Sequence, residues 1–314
     1  MFFLCSFSDL NINFTMKYTI NHILRMFIPL LPIRLIKLFS NRYVAGTSIK
    51  EALKSIQNLN DNGLSATIDI LGEHTNSTNE ADNITSDYIE IYKALKVNNL
   101  DCNISIKPSH IGLDLGFSVC HYNLDRIIKT ASDVSNFLRI DMESSSATND
   151  TITLYNTAKN QYQNVGTVFQ AYLKRTLEDV RNLDRDSNFR LCKGIYKENS
   201  EIAFQGKEEI NDNFIKILDY ALNNRIYVCI ATHDPLLLER CYQLINKYKI
   251  KPERFEFQVL FGVPMDSWIK KHKLNNYKVR VYVPFGKSWY EYSMRRLNEN
   301  PNIIGYIIKN FFKA

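Results

Sequence analysis

The sharpest chemical signal sits near the C-terminus, where residues 290–300 read YEYSMRRLNEN. In a helix, Tyr292, Arg295, Arg296 and Glu299 are three or four residues apart and share one face. Adjacent guanidinium groups can grip a carboxylate through paired hydrogen bonds, and a solvated charged face is the alternative. Upstream, polar residues close a series of apolar runs: Asp69 and Glu73, Lys107, Asp141 with Glu143, Gln170, Arg190 with Lys193, Thr232-His233-Asp234, Gln258 and Tyr282. Lys107, Arg190 and Lys193 outnumber Asp141, and such an excess of cations suits an anionic ligand, a phosphate or a carboxylate. Lys107 alone is equally a candidate Schiff-base lysine. No metal site is expected, because the six histidines form no H-E-x-x-H or H-x-H pair.

These residues need elements to bring them together, and the hydrophobic pattern supplies them. Runs rich in Ile, Val, Tyr and Phe predict strands at 65–71, 102–107, 137–142, 166–173, 189–193, 227–232, 255–260 and 278–283. Helical periodicity predicts helices at 49–60, 86–97, 151–161, 201–223 and 236–247 between them. Ser48 is placed to cap the first and Gly63 to stop it, and Pro235 suits the first turn of the last. Eight strands, each with room for a following helix, give the (β/α)8 TIM-type barrel of the α/β class, whose active sites lie at the C-terminal ends of the strands. A doubly wound sheet is the alternative, but no G-x-G-x-x-G follows any strand. The polar residues named above then converge on one face. The helix after Pro284-Phe285-Gly286 falls near the barrel mouth, and extra helices precede strand one. The division expected is an N-terminal helical segment, 1–42, and a barrel, 43–314.

Composition excludes other classes. The 314 residues are 45% hydrophobic and 23% charged, ordinary for a globular chain. Eighteen tyrosines and 18 phenylalanines predict an aromatic-rich core. A net charge of +6, with 39 basic and 33 acidic residues interspersed, does not call for a nucleic acid partner. Cys5, Cys102, Cys120, Cys192, Cys229 and Cys241 have no C-x-x-C spacing and read as buried thiols in a reducing, cytoplasmic setting. Residues 26–40, MFIPLLPIRLIKLFS, are broken by Pro29 and Pro32 and fall short of the roughly 20 residues that span a bilayer. They read as a pair of short helices packed on the barrel, with a peripheral membrane contact as the alternative. No cleavable leader is expected at residues 1–4.

Beyond these physical signals, the chain resembles the proline dehydrogenases, the flavin-dependent catalytic domain also found in bifunctional proline-utilisation proteins. The resemblance runs from about Tyr43 to Phe311 through YVAGTSIKEAL, IDILGE, ISIKPSHIGLDLG, RIDMESS, NVGTVFQAYLKRT, RLCKGIYKE, IATHD, FEFQVLFGV, RVYVPFG and WYEYSMRRLNENP, in the family's order. It implies an FAD enzyme that oxidises L-proline to Δ1-pyrroline-5-carboxylate, with electrons passed on to a membrane quinone. By resemblance, Arg295 and Arg296 grip the proline carboxylate, Lys107 contacts the same region with Asp141 as its charged neighbour, and Arg190 lies beside the flavin N5. Asp141 and Arg190 thus count as catalytic. Met142, Gln170, Lys193, Gly194, Ile195, Thr232 and His233 match positions lining the FAD. Tyr282 and Tyr292 wall the substrate ring together with Leu191, and Glu73 is a gating carboxylate that pairs with the substrate arginine when the site is empty.

Two positions depart from the family's pattern. Ile195 stands where alanine is usual, which implies a narrower pocket, and Val263-Pro264 replaces a more usual Val-Arg. Tyr282 argues against hydroxyproline as the substrate. Two other classes stay open at this point: a flavin-free lyase using Lys107 as a Schiff base, and a barrel serving only as an interaction module. With no aldehyde dehydrogenase motif after the barrel, a separate pyrroline-5-carboxylate dehydrogenase polypeptide is expected to take the product.

Overall fold

The structure, a computed structural model, describes residues 32–299. Eight parallel strands close in sequence order into one barrel: β1 (Ser65–Ile70), β2 (Cys102–Ile106), β3 (Leu138–Ile140), β4 (Val165–Gln170), β5 (Asn188–Cys192), β6 (Tyr227–Ala231), β7 (Phe255–Leu260) and β8 (Val279–Phe285). Closure is made by β1 on β8, with Thr67 opposite Tyr282 and Asp69 opposite Pro284. Pro284 lies past Tyr282, the last β8 residue paired with β7, and its carbonyl accepts from Ala45 N–H, outside the sheet, at 2.9 Å.

Among the described residues the helices are α1 (Ile33–Tyr43), α2 (Ile49–Asp61), α3 (Thr78–Val97), α4 (Phe117–Asp133), α5 (Thr148–Lys159), α6 (Thr176–Arg181), α7 (Lys207–Asn223), α8 (Pro235–Lys247), α9 (Asp266–Leu274) and α10 (Trp289–Glu299). Ser48 caps α2 in a reciprocal box with Glu51, as its spacing predicts. The apolar core lies between the outer faces of the strands and the inner stripes of these helices. Its aromatic share is concentrated where Tyr242, Phe255, Phe257, His272 and Tyr277 stack, with Phe257 and His272 rings 3.8 Å apart.

Several boundaries differ from the sequence expectations. Helix α3 begins at Thr78, eight residues before 86, because Ser77 accepts from Glu80 N–H and starts the helix in a polar stretch with little apolar periodicity. Helix α7 begins at Lys207 and not at 201: Glu209 turns back to the Gly206 N–H, while Ala203 upstream bridges to Leu173. Strand β4 ends at Gln170, so Tyr172 lies beyond it. Helices α4, α6 and α9 were not among those expected, although α4 buries a regular stripe of Cys120, Leu124, Ile127, Ile128 and Ala131.

The barrel interior is unusual in its polarity. Interiors of this fold are dominated by branched apolar residues. Here Asp69, Ser105, Lys107, Arg139, Asp141, Arg190, Glu256, Gln258 and Arg280 are all buried. Most of their polar atoms are hydrogen-bonded: Arg139 donates through both terminal nitrogens to Thr167 and Asn188, with only its Nε unpartnered, and Arg280 pairs with Glu256 at 2.9 Å.

Helix α1 lies across the top of the molecule against α10. Phe39, Tyr43 and Val44 bury against Leu71, Tyr292 and Leu297, and the Lys37 ammonium sits 4.2 Å from the Trp289 ring centre. Of the segment expected to form a helix pair, residues 26–31 lie outside the described residues, as do Cys5 and the stretch 300–314. No described helix is long and apolar enough to cross a membrane.

Candidate active site

A cavity of about 330 Å3 opens at the C-terminal ends of the strands. All but one of the residues that the resemblance assigned to the site line it.

Two ion pairs form its floor. Lys107, at the exit of β2, donates to both carboxylate oxygens of Asp69 on β1, at 2.9 and 3.1 Å. Burial disfavours the ammonium, but the charges of Asp69 and Asp141 outweigh it and raise its pKa. A lysine held as ammonium is a poor nucleophile, which counts against the Schiff-base chemistry left open by the sequence. The bonded partner of Lys107 is Asp69, while Asp141, the charged neighbour expected, acts on it through its charge. Asp141, just past β3, is engaged elsewhere. It accepts from Ser105 Oγ at 2.5 Å, Arg190 Nη1 at 2.8 Å and Tyr282 Oη at 3.0 Å. Arg190 is pinned from three sides: Asp141, Gln258 Oε1 at 2.6 Å, and the Tyr282 ring, 4.9 Å from its guanidinium carbon.

Alternation along β5 decides which of its residues reach the cavity. Arg190 and Cys192 face inward and line it. Leu191, between them, faces the helices, is fully buried in the apolar core and does not border the cavity. It is the one expected site residue that the fold carries away. The apolar wall is formed instead by Leu260, Val259 and Val168, with Tyr282 and Tyr292.

After β5 the chain turns through Lys193 and Gly194. Gly194 has φ +111°, and a Cβ there would stand 2.2 Å from the Tyr172 ring, so only glycine fits. Tyr172 thus acts as a backstop beneath this turn. The turn presents Ile195 and Tyr196 to the cavity, with Ile195 still 57% exposed at its rim. Lys193 pairs with Asp234 at 2.7 Å, and Asp234 also caps α8 and meets Lys207 at 3.2 Å.

The remaining wall comes from β3, β4 and β6. Met142 and Gln170 line it, and the Gln170 amide donates to the Glu143 carbonyl at 2.8 Å. Glu143 is itself held by Ser109 N–H and Oγ. Thr232 and His233 follow β6. Burial, aided by the nearby Arg296 charge, pushes His233 down to about 4, so its ring is neutral. Its Nε2 accepts from Leu260 N–H at 2.9 Å, which leaves the proton on Nδ1.

Helix α10 closes the mouth. The guanidinium carbons of Arg295 and Arg296 lie 5.7 and 5.4 Å from the Tyr292 ring centre, so the three side chains form one cluster. Arg295 Nη1 meets Glu73 Oε1, after β1, at 3.1 Å. Burial opposes the Arg295 charge, and Glu73 more than restores it. The Glu299 side chain lies outside the described residues.

Sequence reading gave no role to Tyr196, Cys192, Val168 or Leu260. An apolar or aromatic residue inside an apolar run carries no signal until strand parity is known. Asp69 and Gln258 were legible as polar strand positions, but their partners were not. Among the described residues, no three His, Cys, Asp or Glu side chains are grouped to hold a metal ion.

Comparison with known proteins adds an independent line. A family model described as "Proline dehydrogenase" matches residues 52–305. "Proline dehydrogenase 1" of Bacillus subtilis subsp. natto is 35% identical over 278 residues, covering 88% of this chain and 92% of the relative. The "Proline dehydrogenase" of Deinococcus radiodurans is 31% identical over 285 residues, covering 88% and 90%. Among solved structures, proline utilization A from Bdellovibrio bacteriovorus, inactivated by N-propargylglycine, superposes with a TM-score of 0.77 at 26% identity. That match covers 83% of this chain, which spans about a third (32%) of the longer protein.

Proposed function

The chain belongs to the proline dehydrogenase family, oxidoreductases acting on proline, and from that premise we propose that it converts L-proline to Δ1-pyrroline-5-carboxylate with FAD as its cofactor. The observation that carries this reading is the Arg295–Glu73 pair at the cavity mouth. A guanidinium of α10 already holds a carboxylate there, and a substrate carboxylate can take the place of Glu73. Arg296 on the same helix and Lys107 at the floor supply two more cations. Lys107 is held in place by Asp69. Tyr282, Tyr292 and Leu260 provide flat and apolar walls for a five-membered ring. Tyr282, fixed by its bond to Asp141, leaves little room for a ring hydroxyl, which favours proline over hydroxyproline.

The other wall fits FAD by its chemistry. Met142, Val168 and Val259 offer apolar faces for a ring system. Gln170, Arg190, Thr232 and His233 offer polar contacts along its edge. Lys193, beside the Cβ-free turn at Gly194, is the cation placed for phosphate, with Ile195 at the rim. When bound, FAD would supply the acceptor for the hydride from the ring carbon beside nitrogen. The chain's contribution is placement. The cations of α10 and Lys107 orient the carboxylate. Arg190, immobilised by Asp141 and Gln258, keeps a fixed positive charge where negative charge would develop. Glu73, released by Arg295 as substrate enters, serves as a gate.

A membrane quinone as final electron acceptor, and a separate dehydrogenase polypeptide that consumes the product, complete the proposal. Helix α1 exposes Ile33 and Leu38 beside Arg34 and Arg42, a surface suited to peripheral contact with an anionic membrane. The test is proline oxidation with the cyclic imine trapped by ortho-aminobenzaldehyde, in the parent and in Arg296→Met. Loss of one charge-assisted hydrogen bond, about 1.5–3 kcal/mol, predicts a KM for proline higher by roughly 10- to 150-fold. No trapped imine, or an unchanged KM in the variant, would contradict the assignment.

A further inference from the structure

Beneath Arg190 a chain of buried hydrogen bonds runs down the barrel axis. Arg190 Nε donates to Gln258 Oε1 at 2.6 Å. Gln258 Nε2 donates to Glu256 Oε1 at 2.7 Å, and the same oxygen accepts from Arg280 Nε at 2.9 Å. Arg280 Nη1 ends the chain on the Ala66 carbonyl at 2.6 Å. Residues 256 and 258 alternate along β7 and therefore both point inward. All four side chains are buried.

A glutamine amide has two ends of nearly equal shape, so packing alone does not choose between them. The neighbours choose here. Arg190 Nε can only donate, and an ionised carboxylate can only accept. Burial opposes ionisation of Glu256, but Arg280 and Lys278 overcome it and hold its carboxyl at about 2. A reversed amide would set its NH2 against Arg190 Nε and its carbonyl against the Glu256 carboxylate. Both contacts would be buried and unsatisfied.

We propose that Gln258 is a positioning residue for Arg190, with Glu256 as the buried anion that fixes the direction of its amide. Asp141 holds Arg190 through Nη1, and the Tyr282 ring covers one face of the guanidinium. The bond to Asp141 from Nη1 and a longer one, 3.4 Å, from Nη2 to Ser105 Oγ hold only the outer edge of the guanidinium and leave it free to tilt about that edge. The Gln258 bond at Nε removes that freedom and sets the plane that Arg190 shows to the cavity. Glu256 does this from the opposite end of the barrel, with no contact to substrate.

The experiment compares three proteins with the parent: Gln258→Met, Gln258→Glu, and Gln258→Glu combined with Glu256→Gln. The methionine variant keeps the volume and removes the acceptor for Arg190. Gln258→Glu sets two carboxylates against each other. The double variant relieves that opposition: the amide at 256 donates upward and the carboxylate at 258 accepts from Arg190, at the expense of the bond from Arg280 Nε, because one oxygen of Glu256 serves both Gln258 and Arg280. Both single variants should lose about tenfold or more in kcat, with KM for proline within about twofold because the cations of α10 are untouched. The double variant should recover part of the loss seen in Gln258→Glu. The Nε–H resonance of Arg190, identified by Arg190→Lys in the protein as isolated, should shift in both single variants and return in the double. An unchanged kcat and resonance in Gln258→Met, or a double variant no better than Gln258→Glu, would overturn the proposal. The kinetic arm rests on the proposed oxidation of proline. A parent that does not oxidise proline would defeat that reading, while the resonance pattern would still decide the positioning role.

Discussion

At the scale of single residues, the site works by exclusion of choice. Lys107 has both oxygens of Asp69, Arg190 has Asp141 and Gln258, and His233 has one backbone donor. The histidines carry a testable consequence. Burial pushes His110 down to about 3 and His272 to about 4, with His233 also at about 4. An unfolded histidine titrates near 6.5, so between about 6.5 and 4 the unfolded chain binds more protons than the folded one. Stability must therefore fall as pH falls through that window, by up to about 1.4 kcal/mol per pH unit for each such histidine. The Tm should drop between pH 7 and pH 5, and His272→Phe, which cannot take up a proton, should make the decline shallower. A flat Tm across that window would contradict the burial assigned to these rings. Which residues meet in one cavity was largely legible in the sequence, whereas their partners were not. Asp141 was legible as a charged neighbour of Lys107, but that Asp69 is its bonded partner was not, because both carboxylates end strands and only the barrel's register separates them. Leu191 failed for the same reason, one residue out of phase with Arg190.

At the scale of elements, the proposed carboxylate clamp depends on how α10 is seated. Its inner face buries Tyr292 and Leu297 against Phe39 and Tyr43 of α1, so a helix preceding the barrel supports the helix that follows it. Phe39→Ala should cost about 3–5 kcal/mol within that cluster and loosen α10. The barrel closes through its own eight strands, so the prediction is a raised KM for proline with the barrel's circular dichroism retained. An unchanged KM would show that α1 does not brace the clamp. The pairing of α1 with α10 had no signature in the sequence, since it joins segments some 250 positions apart through ordinary apolar residues. Helices α2 and α8 were legible because each carries a cap and a clean stripe. Helix α3 was half-read because its first turns are polar, and what starts it is the Ser77 cap.

At the scale of the whole molecule, the fold was legible because alternation of strand and helix at even spacing admits few closed solutions. The distribution of polarity inside it was not. A barrel interior filled with paired charges gives up the apolar packing usual for this fold, and in return it holds a line of fixed dipoles and charges from Arg280 up to Arg190 beneath the cavity. The same architecture keeps the cations that meet a carboxylate on one side of the mouth and the mixed apolar and polar wall on the other. The central claim is that these two halves bring proline and FAD together in one cavity. The measurement that tests it most directly is the visible absorption spectrum of the purified protein, before and after L-proline is added without oxygen. A yellow protein with a flavin spectrum that bleaches on adding proline is the result predicted. A protein that stays colourless after incubation with FAD, or one whose flavin spectrum is indifferent to proline, would contradict it.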